Sequence, residues 1–252
     1  MLARPVLALA LLWAGAAAAE APIVKSVIDG DTVLLSTGKE VRFVGIQAPK
    51  LPLGRRGFPT WPLAPEAKAA LEGLALGRAV ELACLQACED RHGRLLMHLT
   101  SDRGVWLQGE MLRLGLARVY TFADNRARAA EMLAIEADAR AARRGIWALD
   151  YYAVRTPEQA GGFVGRYELV EGKVLAVASA QGTTFLNFGP DHRTDFTIGI
   201  DAAARKLFRE AKRDPKALAG QTVRVRGWIK SRGGPFIEAS HPEQIESLDP
   251  GR

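Results

Sequence analysis

Ile28-Asp29-Gly30-Asp31-Thr32-Val33, followed by Val41-Arg42-Phe43-Val44-Gly45-Ile46-Gln47-Ala48-Pro49, is the stretch on which the reading of this chain turns. Residues 23–35 read as a strand that enters an Asp-Gly-Asp turn and leaves through Thr32 to Leu35. Thr37-Gly38-Lys39 is a second turn, and residues 41–46 are a third strand. Taken singly, Asp-Gly-Asp is an ordinary turn and Arg42 an ordinary strand arginine. What carries information is the ordered set: Asp29 and Asp31, then Arg42, then Ala48-Pro49, then a later Gly93-Arg94.

Downstream, a Pro- and Gly-rich loop at 49–62 holds Arg55, Arg56 and Trp61. Pro65-Glu66 opens a helix that runs to Leu76, proline being well suited to a first turn. Strand-like stretches at 79–83 and 94–100 bracket a turn at Asp90-Arg91-His92-Gly93, and 107–114 is helical. A long Ala- and Arg-rich helix starts at Asp124 and is closed by Gly145, with Ile146-Trp147 after it. Residues 150–165, with Pro157 and paired glycines, are the expected linker. Beyond it lie β-like runs at 170–178, 183–188, 196–200, 223–229 and 236–239, with a helix at 202–212 between the third and fourth. Five strands with a helix in that place predict a small Greek-key barrel of the OB type. The expected class is therefore α+β, β-barrel-based, with one unit at 23–148 and a second at 166–248.

A chain of 252 residues can bury two separate cores. Net charge is +6, a modest excess that favours anionic partners. From Tyr151 onward there are 15 Lys/Arg against 12 Asp/Glu, so neither half is a concentrated basic arm. Arg4, an apolar run at 6–13 and small residues at 15–19 have the form of a signal peptide over residues 1–19, which implies an exported protein, periplasmic or secreted. The run is too short for a comfortable membrane span, and no stop-transfer pattern follows, so the mature form is expected to lack a transmembrane segment. Export bears on Cys84 and Cys88: in an oxidising compartment they can close a small disulfide loop, two free thiols being the alternative. His92, His98, His192 and His241 are scattered and read as solvent-facing or core residues rather than metal ligands.

The ordered set resembles the opening of the staphylococcal nuclease (thermonuclease) family, and the block from Asp90 to Arg94, through 107–120, to Gly145-Ile146-Trp147 is similar too. The resemblance covers about residues 23–148. It implies an OB-type barrel with three helices and a calcium-dependent endonuclease of DNA and RNA. Residue by residue, it implies that Asp31 is the first calcium carboxylate, Asp29 a supporting acid, and Arg42 and Arg94 the two phosphate-binding arginines of the catalytic set. Family members usually continue Asp-(Ala/Thr)-Pro-Glu, supplying a second metal ligand and a general base; here the stretch reads Gln47-Ala48-Pro49-Lys50. Gln47 offers a neutral oxygen, which weakens a Ca2+ site, and Lys50 repels a metal and cannot serve as a base while protonated. Loss of a positioned base costs about 10²–10⁴ in rate. Asp29, Glu40 and Glu66 are the carboxylates that could stand in.

In the second unit, period-two alternation puts Arg224, Arg226, Trp228, Lys230 and Arg232 on one side of a strand. A basic stripe carrying an aromatic suits a sugar-phosphate backbone and a stacked base, so these residues are expected to bind nucleic acid, a solvated strand face whose tryptophan packs on a neighbouring helix being the alternative. The expected function is an exported, nucleic-acid-binding thermonuclease relative with impaired hydrolysis. The alternatives are an active metal-dependent endonuclease with a rearranged site, and an envelope interaction protein that uses its barrels as scaffolds.

Overall fold

The computed structural model describes residues 21–249, apart from position 192. The signal-peptide expectation at 1–19 and His192 lie outside them. Among the described residues no helix is long and apolar enough to cross a membrane.

The N-terminal half begins with β1 (Val24–Asp29), β2 (Thr32–Leu35) and β3 (Glu40–Phe43), an antiparallel meander. Its tight first turn depends on Gly30, where an added Cβ would meet the Cβ atoms of Ala48 and Ala67 at 2.7 and 2.8 Å. The expected single strand at 41–46 is broken: β4 (Gly45–Gln47) is separate from β3 and pairs with β7 (Arg118–Tyr120). The break follows from Gly45, whose φ of 82° turns the chain; a side chain there would strike Met132. Between them come α1 (Ala64–Ala75), β5 (Val80–Ala83), β6 (Leu95–Ser101) and α2 (Leu107–Arg113). The sheet order is β1-β2-β3-β6-β5, with β3 and β6 parallel. α3 (Ala129–Ala141) starts later than expected, residues 124–128 being a turn that precedes the helix. Val33, Phe43, Leu71, Leu99 and Met111 are among the side chains filling the core between sheet and helices.

The connection at 150–165 is packed down. Tyr152 is buried and donates its hydroxyl to Pro62 O at 2.8 Å, and Ala160 joins the C-terminal core.

The C-terminal half contains β8 (Tyr167–Lys173), β9 (Ala176–Ala180), β10 (Thr183–Asn187), β11 (Thr197–Ile200), α4 (Ala202–Glu210), β12 (Thr222–Arg232), β13 (Gly234–Glu238) and β14 (Ile245–Ser247). The run expected at 170–178 is two strands joined by a bend at Val174-Leu175: β8 pairs with β12 and β9 with β10, so one segment serves both ends of the sheet. With β11 and β13 parallel and α4 between β11 and β12, the arrangement is OB-like. Phe196, Ile198, Phe208, Val225 and Ile237 are part of its core.

Candidate functional site

At the end of β1 the Asp-Gly-Asp turn folds two carboxylates under the chain. Asp31 is fully buried and Asp29 nearly so. Asp29 Oδ1 accepts from Asp31 N at 3.1 Å, and Asp31 Oδ2 accepts from Ala48 N at 2.7 Å, which ties the turn to the 47–50 segment. Two acids in so dry a place need a counter-charge. Lys50 supplies it: its Nζ lies 3.0 Å from Asp29 Oδ2 and 2.7 Å from each oxygen of Asp31.

Arg42, on β3, closes the other side of Asp31 at 3.2 Å. Its two terminal nitrogens also donate to Phe43 O and Ile46 O, both at 2.7 Å, and to Asp31 O at 3.3 Å. Most of its fork is thus spent inside the protein. Burial by itself would raise the Asp31 pKa, but Arg42 and Lys50 outweigh it and hold the carboxyl well below the usual range. Asp29 moves the other way: burial and then the charge of Asp31 raise it, with Lys50 offsetting only part.

Gln47 does not face the carboxylate pair. Its Oε1 accepts from Nε and Nη2 of Arg118 at 3.0 and 2.8 Å. Arg118 is buried, with the ring of Tyr167 at 4.7 Å from its guanidinium carbon, so an arginine of the first half is seated against an aromatic of the second.

Arg42 and Arg94 line one cleft of about 540 Å³, between the β3–β4 bend, the turn at 87–96 and the segment after β7. Arg94 is held by Asp90, 2.7 Å from Nη2 and 2.8 Å from Nε, with Glu40 at 3.7 Å. Asp90 also accepts from the main chain of His92 and Arg94, and with those bonds and Arg94 outweighing its partial burial, its pKa is lowered. Three arginines (Arg42, Arg91, Arg94) face three carboxylates (Glu89, Asp90, Asp124) around the cleft, which is therefore charge-balanced. Tyr120 and Phe122 form its aromatic wall, packed edge to face at 4.9 Å.

Residues 40–149 match the family model of the staphylococcal nuclease homologues. This stretch, 110 of the 252 residues, is similar to a staphylococcal nuclease homologue domain. No curated protein matches the chain. Such a domain points to nuclease action or nucleic-acid binding, and its family is typically calcium-dependent.

In this nuclease-homologue domain the expected calcium ligands do not fit the ion. Calcium takes six to eight oxygens. Here both Asp31 oxygens and one of Asp29 are already bonded to an ammonium, and Gln47 is turned to Arg118. Among the described residues no group of three His, Cys, Asp or Glu could hold a metal. Of the stand-in acids, Asp29 is locked under Lys50, Glu40 pairs with Arg94, and Glu66 is exposed in the first turn of α1.

The basic stripe on β12 needs correction. Its parity is right, since Val223, Val225 and Ile229 fill the core while Arg224, Arg226, Trp228 and Lys230 point away. Its outer face, however, is covered. Arg226 is fully buried against the nuclease-homologue domain, with Nη2 2.7 Å from Glu136 on α3 and 2.6 Å from Glu246. Arg224 pairs with Glu171 at 2.6 Å, and Lys230 with Glu238 at 2.6 Å. Trp228 alone among the first four combines exposure with freedom from a carboxylate, and its Nε1 donates to Tyr120 Oη at 3.0 Å beside the cleft. Cys84 and Cys88 are joined as a disulfide.

Sequence reasoning missed Arg118, Tyr120, Phe122 and Asp124 as cleft or support residues. The only signal for Tyr120 and Phe122 was an aromatic pair two apart at a strand end, and Phe122 proves to be half exposed.

Proposed function

We propose that the protein is an exported relative of the thermonucleases that holds a nucleic-acid phosphodiester backbone at the Arg42–Arg94 cleft without calcium-dependent hydrolysis of it. The observation that carries the second half of this reading is the Lys50 ammonium, seated within 3.0 Å of both aspartates. A divalent ion would have to displace the Lys50 ammonium and still sit beside Arg42, 3.2 Å from Asp31. The ion pair supplies the charge balance that a metal would otherwise give, but no Lewis acid and no base for water. Binding is supported by Arg91 and Arg94 at the mouth and by Tyr120 and Phe122, on whose faces a base can stack.

The test incubates the mature protein with DNA and RNA in calcium, magnesium and manganese, and measures binding by fluorescence anisotropy at several salt concentrations. Salt-sensitive binding with no cleavage is expected, and Arg94→Ala weakens it. Metal-stimulated cleavage that Asp31→Ala abolishes would establish the active-endonuclease alternative instead. Absence of polynucleotide binding even at low salt would favour the envelope scaffold.

A further inference from the structure

A cluster of positive charge lies away from the nuclease-homologue cleft. α4 and the turn after it line a separate cleft of about 540 Å³ with Arg205, Arg209, Lys212, Arg213 and Lys216 against one carboxylate, Asp214. The helix is fixed by Asp201, which caps it by accepting from Ala204 N at 2.7 Å, and by Ala204 and Phe208 buried beneath it. Arg213 braces the far wall, donating to Pro242 O and Ile245 O.

Many arginines elsewhere in the protein are paired: Arg94, Arg126, Arg128, Arg140, Arg224 and Arg226 each contact a carboxylate. Among the described residues, Arg205, Arg209, Lys212 and Lys216 contact no carboxylate within 4 Å. Asp214, the acid among them, accepts from the backbone of Lys216. Arg205 Nε is also buried without a hydrogen-bond partner. A buried donor among like charges is costly unless an anion or water completes it.

We propose that this cleft is a second nucleic-acid site, which grips successive backbone phosphates of a polynucleotide. The lining carries no aromatic side chain, so bases have nothing to stack on and contact is through phosphate alone, indifferent to sequence. It also carries no exposed large apolar side chain to enter a bilayer. The choice of nucleic acid among polyanions rests on the reading of the nuclease-homologue domain; the charge and the unfilled donor do not.

The experiment titrates a fluorescein-labelled 30-base-pair DNA, and separately vesicles containing 30% anionic lipid, with full-length mature protein at 50–200 mM salt. Three proteins are compared: wild type, Arg94→Ala, and the triple variant Arg209→Ala/Lys212→Ala/Lys216→Ala, whose changed side chains are exposed. Each phosphate released contributes about 0.9 to the log–log salt slope, so the triple variant is expected to flatten it by about 2.7. It should also lose roughly 30-fold or more in affinity at 50 mM salt. Circular dichroism melts of the triple variant should match wild type. An unchanged slope overturns the proposal, as does DNA binding abolished by Arg94→Ala alone, or binding of vesicles but not of DNA. Loss in the triple variant with none in Arg94→Ala leaves this site standing and defeats the first one.

Discussion

Replacing Lys50 by alanine tests the electrostatic heart of the site. In the native protein one ammonium serves two buried aspartates at 2.7–3.0 Å, and among the described residues Arg42 is the only other cation bonded to Asp31. Removing one partner of a buried pair costs about 3–5 kcal/mol; Lys50 keeps 18% of its side chain exposed, so water offsets part and about 2–3 kcal/mol is the expected loss. For a chain of this size that lowers Tm by about 4–12 °C. The vacated pair then accepts a divalent ion. With a Kd on the order of 1 mM, 10 mM calcium returns about 1.4 kcal/mol, or roughly 3–5 °C. The wild-type melt should not move with calcium. Differential scanning calorimetry of both proteins, with and without the ion, reads all four values. A Lys50→Ala protein that melts within a degree of wild type, or a wild type that calcium stabilises by several degrees, would refute the reasoning.

Arg226→Met leaves the buried Glu136 with Arg140, 3.3 Å away, as its remaining counter-charge among the described residues, so urea unfolding should show a loss of up to about 3–5 kcal/mol, whereas Arg226→Met with Glu136→Leu should recover most of it; equal losses in single and double variants contradict the pairing. Burial pushes both His98 and His241 down to about 4, so the unfolded chain takes up their protons below about pH 6.5 while the folded one does not. Stability should therefore fall as pH drops from about 6.5 to about 4, by up to about 3 kcal/mol for each histidine, and flatten with respect to them below that. Urea midpoints at pH 7, 5.5 and 4.5 check this, and a slope that survives His98→Gln together with His241→Gln counts against it. The Cys84–Cys88 loop spans four positions, so reduction should cost only about 2 kcal/mol, read as a small Tm shift on adding dithiothreitol; global unfolding on reduction would show that the bridge holds far more than its loop.

Much of the architecture was legible because its signals are local. The Asp-Gly-Asp turn, the proline at the head of α1 and the runs of β-branched residues each act within a few positions. The exceptions have local causes too: positive φ at Gly45 splits one expected strand, and a bend at Val174-Leu175 splits another. The site was legible as a set of residues but not as a set of partners. Lys50 read as a charge hostile to a metal; that it would reach back 19 and 21 positions to neutralise both aspartates is a property of the folded turn. The β12 stripe shows the same limit, because alternation tells which side a residue takes and nothing about what comes to lie there. Arg226 meets Glu136 from 90 positions away.

That meeting has a consequence for how the chain can change over time. Glu136 also receives the N–H of Val119, and Tyr167 donates its hydroxyl to Val119 O, so the last strand of the first half leans on side chains of the second. A descendant shortened after Leu149 would keep Arg140 and the Val119 N–H on Glu136 but lose Arg226, and would bare the seam where β12 had been. Each half has become part of the other's interior, so cutting the chain between them exposes surface and charge that neither half covers by itself.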